Sequence, residues 1–315
     1  MAKFGAESTA EEVLDGIDLS GRVIIVTGGS GGLGAEAART LAARGARVTI
    51  TARDREKGRN VADRVRAETG RDVEVMELEL SSPASVRAFA ARWLERHDRL
   101  DVLVNNAGVM ACPLARTEEG WELQFATNHL GHFLVTARLM PALRTARSAR
   151  VVSVSSNGHR LSPVVFEDLH FERRPYDKWQ AYDQAKSANA LFAVELDRRT
   201  ASSGVRAFSL HPGAIVTELG RHLSPEDIQE LVSRSPGGAG FQWKSVPAGA
   251  ATIVWAATAS DLEGRGGLYL EDCRVAEPKR SAEDMHGYAP WAVDPDAAKR
   301  LWSVSEETLG ERFSA

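Results

Sequence analysis

Short apolar runs alternate with longer amphipathic stretches along most of the chain. Residues 22–27 form a continuous run rich in β-branched side chains, which is typical of a parallel strand buried on both faces. An alanine-rich helical pattern follows over 35–44, ends at Gly45 and gives way to a second strand over 47–51. This order predicts a strand, a helix and a strand, which is the repeating unit of a parallel sheet.

The same alternation continues to the far end of the sequence. The pattern predicts further strands at about 73–80, 100–104, 149–154, 205–210 and 267–270. It predicts further helices at about 55–69, from Ser82-Pro83 onward, and at about 119–146, 179–199, 247–259 and 295–309. About seven parallel strands with helices on both faces indicate an α/β fold, a Rossmann-type doubly wound sheet in a single domain.

Two segments depart from this rhythm. Residues 1–20 are predicted to be an N-terminal arm, in which Thr9 and Glu12 have the spacing of a capping box before a short helical run. Residues 21–315 then form the single domain. Within it, residues 218–247 contain a glycine-rich centre and are predicted to be a mobile lid over the substrate, which we call the lid segment.

The composition excludes several kinds of partner. The chain has 39 basic and 43 acidic residues and a formal charge of −4, so we expect neither nucleic acid nor an anionic membrane surface. Cys112 and Cys273 are the only cysteines and have no metal-ligand spacing, so we expect no metal site and no disulfide. No apolar stretch reaches the roughly 18 residues of a membrane span, and we expect a soluble, cytoplasmic protein.

A glycine-rich turn lies directly between the first strand and the first long helix. Its sequence is Thr27-Gly28-Gly29-Ser30-Gly31-Gly32-Leu33-Gly34. A phosphate-bearing cofactor needs residues without Cβ for close approach, and it is favoured by the N–H groups and positive dipole of a helix start. Gly28, Gly32 and Gly34 fit those needs, although a turn that only packs the helix on the strand is the alternative.

The end of the second strand bears on the choice of cofactor. An acidic residue there would accept hydrogen bonds from the ribose 2′-OH of NAD, whereas a 2′-phosphate favours Arg. Ala52 occupies the expected acidic position and Arg53 follows it, so we prefer NADP(H), with NAD(H) as the alternative. Asp54 is either the ribose ligand in a shifted register or the cap of the next helix.

Tyr182 and Lys186 are one turn apart on a predicted helix and therefore share a face. A neighbouring ammonium favours the phenolate, so we expect Lys186 to lower the pKa of Tyr182 towards a useful range for proton transfer. Ser155 and Ser156 lie at the carboxyl end of a predicted strand, where open α/β sheets bind ligands. A serine hydroxyl there could hold a substrate oxygen, or it could simply cap a turn.

Five motifs in this order resemble the short-chain dehydrogenase/reductase family. They are the Thr-Gly-x3-Gly-x-Gly turn, Asn105-Asn106-Ala107-Gly108, Asn128, the Ser156, Tyr182 and Lys186 set, and Pro212-Gly213. Asn128-His129-Leu130-Gly131-His132 and a tail containing Trp302 are similar to the retinol dehydrogenases and to the oxidoreductase part of the WW-domain oxidoreductase. Ala185 and Glu79 stand where the family often has Ser and Asp.

The resemblance implies a set of site residues. Catalytic roles would fall to Asn128, Ser156, Tyr182 and Lys186, with Ser155 as the fallback for Ser156 and Asn128 holding a water of a proton relay. The cofactor would be bound by Gly28, Ser30, Gly31, Gly32, Leu33, Gly34, Arg53, Glu79, Leu80, Asn106, Ala107, Gly108, Tyr182, Lys186, Pro212, Gly213, Ile215 and Thr217. The expected reaction is hydride transfer between NADP(H) and a carbonyl or alcohol group.

The substrate is a small molecule with an apolar carbonyl or alcohol, in our interpretation. We expect its pocket to involve residues 157–180, the lid segment with Phe241 and Trp243, and also Met110 and Cys112. We interpret His159 and His211 as structural or pocket-lining residues. The alternatives are an NAD-dependent alcohol or hydroxysteroid-type dehydrogenase and a protein that senses a dinucleotide without turnover. A homo-oligomer, dimer or tetramer, would use the helices at 119–146 and 179–199.

Overall fold

A computed structural model describes residues 3–234, 243–281, 284 and 286–313 of the chain. The strands are β1 Val23–Val26, β2 Arg47–Ala52, β3 Val73–Glu77, β4 Val102–Asn105, β5 Ala149–Val154, β6 Val205–His211, β7 Leu268–Glu271 and β8 Arg274–Val275. They form one sheet in the order β3-β2-β1-β4-β5-β6-β7-β8. Neighbours from β3 to β7 pair in parallel, and β8 pairs with β7 in the antiparallel direction.

Helices connect the strands and cover both faces of the sheet. They are α1 Ala10–Val13, α2 Gly32–Ala43, α3 Arg55–Thr69, α4 Pro83–Leu94, α5 Leu123–Phe125, α6 Gly131–Thr145, α7 Lys178–Thr200, α8 Pro225–Arg234, α9 Val246–Thr258 and α10 Pro295–Leu309. A π-helical turn, Ala126–Leu130, joins α5 to α6. Among the described residues, no helix combines the length and the apolar character that crossing a lipid bilayer requires.

The predicted α/β fold is confirmed, and the sheet separates two apolar clusters. One cluster joins α4, α6, α7 and α10 to one face, and the other joins α1, α2, α3 and α9 to the opposite face. The central strand β1 is buried along its whole length, as its β-branched sequence predicts. Chain order reverses between β1 and β4, and ligands bind at such a switch point in doubly wound sheets.

The predicted helix over 119–146 is wrong in its first four residues, 119–122. Glu122 is extended, and its buried carboxylate accepts the N–H groups of Gln124 and Phe125. Helical structure therefore begins only at Leu123, because Glu122 acts as its N-cap. The π-helical turn then interrupts regular hydrogen bonding before α6.

Other elements differ in smaller ways. The strand predicted over 73–80 ends at Glu77, and the two-residue strand β8 is absent from the predicted set. Thr9 and Glu12 form the expected capping box, and α1 packs against α9. The lid segment contains a well-defined helix, α8, while its glycine-rich centre lies outside the described residues.

The C-terminal helix covers a face that we expect at a subunit interface. Trp302 of α10 packs against Phe133 of α6, with 4.9 Å between ring centroids, and it stacks on Phe192 of α7. Phe313 closes the same cluster, 4.6 Å from Trp302. Since α10 of the same chain occupies this surface of α6 and α7, a second subunit would have to bind elsewhere on them. The oligomeric state stays a prediction.

Candidate active site

A cavity of about 690 Å³ opens at the carboxyl ends of β1, β4, β5 and β6. All residues predicted to bind the cofactor line it: Gly28, Ser30, Gly31, Gly32, Leu33, Gly34, Arg53, Glu79, Leu80, Asn106, Ala107, Gly108, Tyr182, Lys186, Pro212, Gly213, Ile215 and Thr217. Ser156 lines the same cavity, whereas Asn128 lies beneath it with no exposed surface. The fold thus brings together motifs that are more than 180 positions apart in the chain, from Gly28 to Thr217.

The glycine turn has no room for side chains at three of its glycines, Gly28, Gly29 and Gly34. Gly28 has a φ of +67°, and a Cβ there would lie 2.8 Å from the Cα of Ala107. A Cβ on Gly34 would lie 2.5 Å from the carbonyl oxygen of Gly28. Gly31 offers no side-chain acceptor to the first N–H groups of α2. A phosphate group fits such a bare helix start, which also carries a positive dipole end.

Thr27 connects the glycine turn to two other motifs. Its hydroxyl oxygen accepts the N–H groups of Asn106 and Ala107 at 2.9 and 3.0 Å, and it lies 2.9 Å from Nε2 of His132. Nδ1 of His132 donates to the carbonyl oxygen of Asn128 at 2.9 Å, so Nε2 accepts from the Thr27 hydroxyl. Burial lowers the pKa of His132 to about 4, which keeps the ring neutral. Sequence reasoning missed this role of His132.

Arg53 lies at the end of the cavity expected for the adenosine half of a dinucleotide. Its side chain is 59% exposed, and its guanidinium is 3.7 Å from the carboxylate of Glu79. A loose pair at such exposure binds weakly, so Arg53 is available for a stronger anion. Asp54 caps α3 by accepting the N–H groups of Glu56 and Lys57. Of the two interpretations of Asp54, the structure therefore favours the helix cap.

Tyr182, Lys186 and Ser156 meet where β5 ends against α7. Tyr182 and Ser156 line the same cavity, where Ser156 acts on the pKa of the Tyr182 hydroxyl as a hydrogen-bonding partner, and Ser156 Oγ accepts the N–H of Gly158 at 3.2 Å. The hydroxyl of Ser155 instead donates to the carbonyl oxygen of Lys186 at 2.7 Å. Ser155 therefore ties β5 to α7, and the geometry favours Ser156 as the hydroxyl that faces the cavity centre.

The pKa of Tyr182 differs from the expectation. Burial raises the pKa of the Tyr182 hydroxyl above its usual value, the hydrogen bond with Ser156 acts in the opposite direction, and Asp183 raises the pKa further. Lys186 Nζ donates to the carbonyl oxygen of Val154 at 3.0 Å and lies 5.5 Å from the centre of the Tyr182 ring. Burial lowers the pKa of Lys186 to about 8. In this state desolvation outweighs the expected effect of the ammonium on Tyr182.

Asn128 occupies the π-helical turn and is committed to backbone contacts. Its side-chain oxygen accepts the N–H of Val109 at 2.9 Å, and its side-chain nitrogen donates to the carbonyl oxygen of Val109 at 2.9 Å. This pair of bonds holds the chain after Gly108, which lines the cavity. The backbone carbonyl of Asn128 is the acceptor of His132 Nδ1 described above.

The end of the cavity beyond Tyr182 is largely apolar. Its walls include Met110, Leu161, Trp179, Leu219, Leu223, Ile228, Leu231 and Trp243. Met110, Trp179 and Tyr182 form one buried cluster, against which Leu223 and Leu231 of the lid segment pack. The expectation is met for Met110 and Trp243, but Cys112 does not line the cavity and Phe241 lies outside the described residues. Of the insert 157–180, only the two ends reach the cavity.

The lid helix α8 is held to the start of α7 by an ion pair. The ammonium of Lys178 contacts the carboxylate of Asp227, and this contact holds the pKa of Asp227 below its usual value. Asp227 also accepts the N–H of Ser224 at 3.0 Å. We call the Lys178–Asp227 pair the lid latch. Sequence reasoning missed it because nothing local marks Lys178 and Asp227, which are 49 positions apart, as partners.

The loop after β6 is held in place by contacts with Lys244. Gly213 has a φ of +101°, and a Cβ there would lie 2.6 Å from the side chain of Lys244. The N–H of Lys244 donates to the carbonyl oxygen of Ala214 at 2.8 Å, and its ammonium pairs with Asp272 at 2.5 Å. His211 lines the cavity beside this loop, as expected.

The described residues contain no cluster of His, Cys, Asp and Glu that could hold a metal ion. Cys112 and Cys273 are free and buried. The cavity is an extended groove with a bare glycine turn, a cation at one end and two hydroxyl groups beside a buried lysine at the centre. Such a set of groups can bind a dinucleotide and exchange a proton with a substrate oxygen.

Comparisons with known proteins agree with this geometry. The family model described as short chain dehydrogenase matches residues 22–228. The chain is 42% identical to short-chain dehydrogenase/reductase prx1 of Penicillium rubens over 96% of this chain and 91% of that protein. It is 41% identical to human retinol dehydrogenase 12 over 94% of this chain and 89% of that protein.

A solved structure extends the comparison to the fold. The RhlG/NADP active-site complex of Pseudomonas aeruginosa has a TM-score of 0.65 and 28% identity, covering 81% of this chain and 95% of that chain. The fold, the order of motifs and these relatives agree with one another. The chain belongs to the short-chain dehydrogenase/reductase family, near its retinol dehydrogenase branch.

Proposed function

We propose that this chain is an NADP(H)-dependent oxidoreductase that interconverts a carbonyl and an alcohol, with Tyr182 as the general acid and base. One observation carries the proposal. The hydroxyl pair of Tyr182 and Ser156 and the ammonium of Lys186 share a single cavity with the bare glycine turn before α2. Enzymes of this family transfer hydride between a nicotinamide and a CH–OH carbon, so we expect the cavity to carry out the same reaction.

Each residue has a role in the reducing direction. Ser156 and Tyr182 would donate hydrogen bonds to the substrate carbonyl oxygen, and Tyr182 would deliver the proton to that oxygen. The nicotinamide cofactor, when bound, supplies the hydride in this direction and accepts it in the other. The glycine turn would hold its phosphates, and Lys186 would hold the ribose next to the nicotinamide and keep a positive charge near Tyr182.

Proton resupply is proposed to run along the base of the cavity. Lys186 faces the carbonyl of Val154, and its lowered pKa of about 8 makes proton exchange accessible near neutral pH. Asn128 would contribute through its position in the π-helical turn, next to the Lys186 end of the cavity. Since its side chain and its carbonyl already have partners, a relay water there would share the Asn128 carbonyl with His132.

The preference for NADP(H) rests on three neighbouring positions. Arg53 is exposed at the cavity rim, Asp54 is occupied as a helix cap, and Ala52 presents no carboxylate to a ribose. A guanidinium suits a 2′-phosphate because it offers several donors and a fixed charge. The NADP complex of a relative is consistent with this choice.

The substrate is proposed to be an apolar aldehyde, ketone or secondary alcohol. The support is the apolar wall formed by Met110, Trp179, Leu223 and Leu231 beyond the Tyr182 hydroxyl. The similarity to retinol dehydrogenase 12 points to the same chemical class. An NAD-dependent alcohol or hydroxysteroid-type dehydrogenase remains the runner-up, and it differs in cofactor preference.

The test follows NADPH and NADH oxidation side by side over aldehydes, small ketones, steroids and retinal. We expect turnover with NADPH on an apolar carbonyl, and Tyr182→Phe should lower kcat about 1000-fold or more while NADPH binding changes little. Tyr176→Phe is the matched control, because Tyr176 is a partly buried tyrosine outside the cavity. Retained turnover in Tyr182→Phe would contradict the assignment, and cofactor binding without turnover of any compound would favour a dinucleotide sensor.

A further inference from the structure

A buried histidine lies directly behind the serine of the site. Nδ1 of His159 is 2.6 Å from the carbonyl oxygen of Ser156, and the backbone N–H of His159 donates to the same oxygen at 3.1 Å. The hydroxyl of Tyr269 on β7 is 3.4 Å from that oxygen and 3.0 Å from Nδ1. Three groups therefore converge on one backbone oxygen, and that oxygen belongs to the residue whose hydroxyl faces Tyr182.

The second ring nitrogen fixes the tautomer of His159. The N–H of Ala289 donates to Nε2 at 3.2 Å, so Nε2 carries the lone pair and Nδ1 carries the proton. Burial lowers the pKa of His159 to about 3, and the ring stays neutral over the working range. Because both nitrogens have backbone partners, the imidazole cannot rotate without breaking one of the bonds.

The backbone of His159 adds two further connections. Its carbonyl oxygen accepts the indole N–H of Trp291 at 2.9 Å and the hydroxyl of Ser187 at 3.1 Å. Ser187 follows Lys186 on α7. One residue thus joins the end of β5, helix α7, strand β7 and the segment around 289–291. The bonds from Ser187 and Trp291 go to its backbone carbonyl, whereas the imidazole itself contacts Ser156, Tyr269 and Ala289. A histidine that only fills space would not need these three directional contacts.

We infer that His159 is a positioning residue, which fixes the backbone of Ser156 so that the serine hydroxyl faces Tyr182. Ala289 and Tyr269 hold the imidazole in turn. The inference rests on the proposed function, since it concerns how that reaction's hydroxyl pair is aligned. His159 does not line the cavity, so it acts through Ser156 rather than on the substrate.

Two substitutions separate alignment from packing. In His159→Asn the shorter amide can still offer an N–H near the position of Nδ1, whereas in His159→Gln the amide extends towards Ala289 and leaves the Ser156 carbonyl without this donor. We expect kcat with the NADPH-dependent carbonyl substrate to fall about 10- to 100-fold in His159→Gln and less than about fivefold in His159→Asn. The Kd for NADPH, measured by fluorescence titration of folded protein, should change less than about twofold in both.

A double-mutant cycle with Ser156→Ala decides between the two roles. If His159 acts through Ser156, His159→Gln should cost less than about twofold in the Ser156→Ala background. An equal loss in both backgrounds, full activity in His159→Gln, or a parallel loss of NADPH binding would overturn the inference. A wild type that turns over no carbonyl of the panel would contradict the proposed function, and the inference with it. If the wild type is active and the effects of His159→Gln and Ser156→Ala on kcat are additive, the inference alone is contradicted.

Discussion

The two ends of the cavity are built by different means. The end proposed to hold the cofactor is lined largely by glycines and loop backbone, namely the glycine turn, the segment after β4 and the bare start of α2, with Arg53 and Glu79 at its rim. The substrate end consists of side chains from the loop after β4, from α7 and from the lid segment, packed on one another. The first is rigid because the central strands hold it, and the second depends on contacts between separate segments.

This difference sets how each end responds to change. A backbone surface fails when an added Cβ blocks close approach, because the chain around it cannot shift without moving the sheet. A side-chain surface tolerates substitution with graded effects, because neighbours can repack. The family can therefore keep one cofactor end while the substrate end varies, and four predictions test this division.

Gly34→Ala should have the largest effect. The new Cβ would lie 2.5 Å from Gly28 O and from Asn106 Nδ2, so the turn must open, and NADPH binding should weaken about 100-fold. Gly5→Ala is the comparison, because Gly5 does not line the cavity and a Cβ there meets no atom within 4 Å, so binding should be little changed. Equal losses in fluorescence titrations would show that the glycine turn is not limited by backbone contact.

Lys186 lies where the two ends of the cavity meet. Its burial predicts that the free energy of unfolding rises by roughly 2–3 kcal/mol between pH 7.5 and pH 10.5. Its pKa in the folded chain is about 8, below the ordinary value of 10.5. Between these values the unfolded chain binds a proton that the folded chain does not, so this residue's contribution to stability rises with pH. The advantage of Lys186→Met over wild type in urea unfolding should therefore shrink from pH 7.5 to pH 10.5.

The matched control for that measurement is Lys57→Met, since the Lys57 side chain is 57% exposed. Its difference from wild type should stay constant with pH. A constant difference for Lys186→Met as well would mean that Lys186 is hydrated in the folded chain.

Arg53→Ala should weaken NADPH binding about tenfold or somewhat more and leave NADH binding within about twofold. The loss corresponds to the low end, about 1.5 kcal/mol, of what a charge-assisted hydrogen bond to a phosphate contributes, because the Arg53 side chain is largely exposed. Arg55→Ala is the control, because Arg55 is exposed on α3 and does not line the cavity. Equal effects of Arg53→Ala on both cofactors would contradict the NADP(H) preference.

Asp227→Asn tests the lid latch and should have the smallest effect. The pair is partly exposed, so its loss should raise the KM for an apolar carbonyl by about two- to fivefold, with kcat and NADPH binding little changed. Added salt should reduce the difference from wild type. Glu230→Gln on the same helix is the control, and an identical shift in that variant would exclude a specific latch.

The fold could be predicted from the sequence where signals are local. Local signals show where β1 and α3 begin and end: β1 is a β-branched run, and α3 has an N-terminal cap and ends at a glycine. The start of α5 could not be predicted in this way. Glu122 resembles an exposed helical residue, yet it is buried and bonds to Tyr176, which is 54 positions away. Strand β8 is too short to have a pattern.

Prediction of the site residues is likewise limited to those with local sequence signals. The residues predicted to bind the cofactor could be named from the sequence, because a glycine turn and the ends of strands have recognisable local patterns. Trp179 fell within the predicted pocket range 157–180 but was not singled out, although it lies three positions before Tyr182 on one face of α7. The pKa of Tyr182 was predicted to be lowered by Lys186, whereas burial raises it, because the spacing to Lys186 reveals proximity but not desolvation.

The bonds between His159 and the 289–291 segment also have a consequence for folding. Ala289 and Trp291 follow His159 by 130 and 132 positions, so they are synthesised long after β5 and Ser156. Because a domain folds as a unit, these bonds form together with the rest of the fold. Contacts between positions so distant in the chain carry a loop-closure entropy that slows folding. Under the proposed role of His159, the alignment of Ser156 is therefore completed only when the C-terminal segment has docked on the sheet.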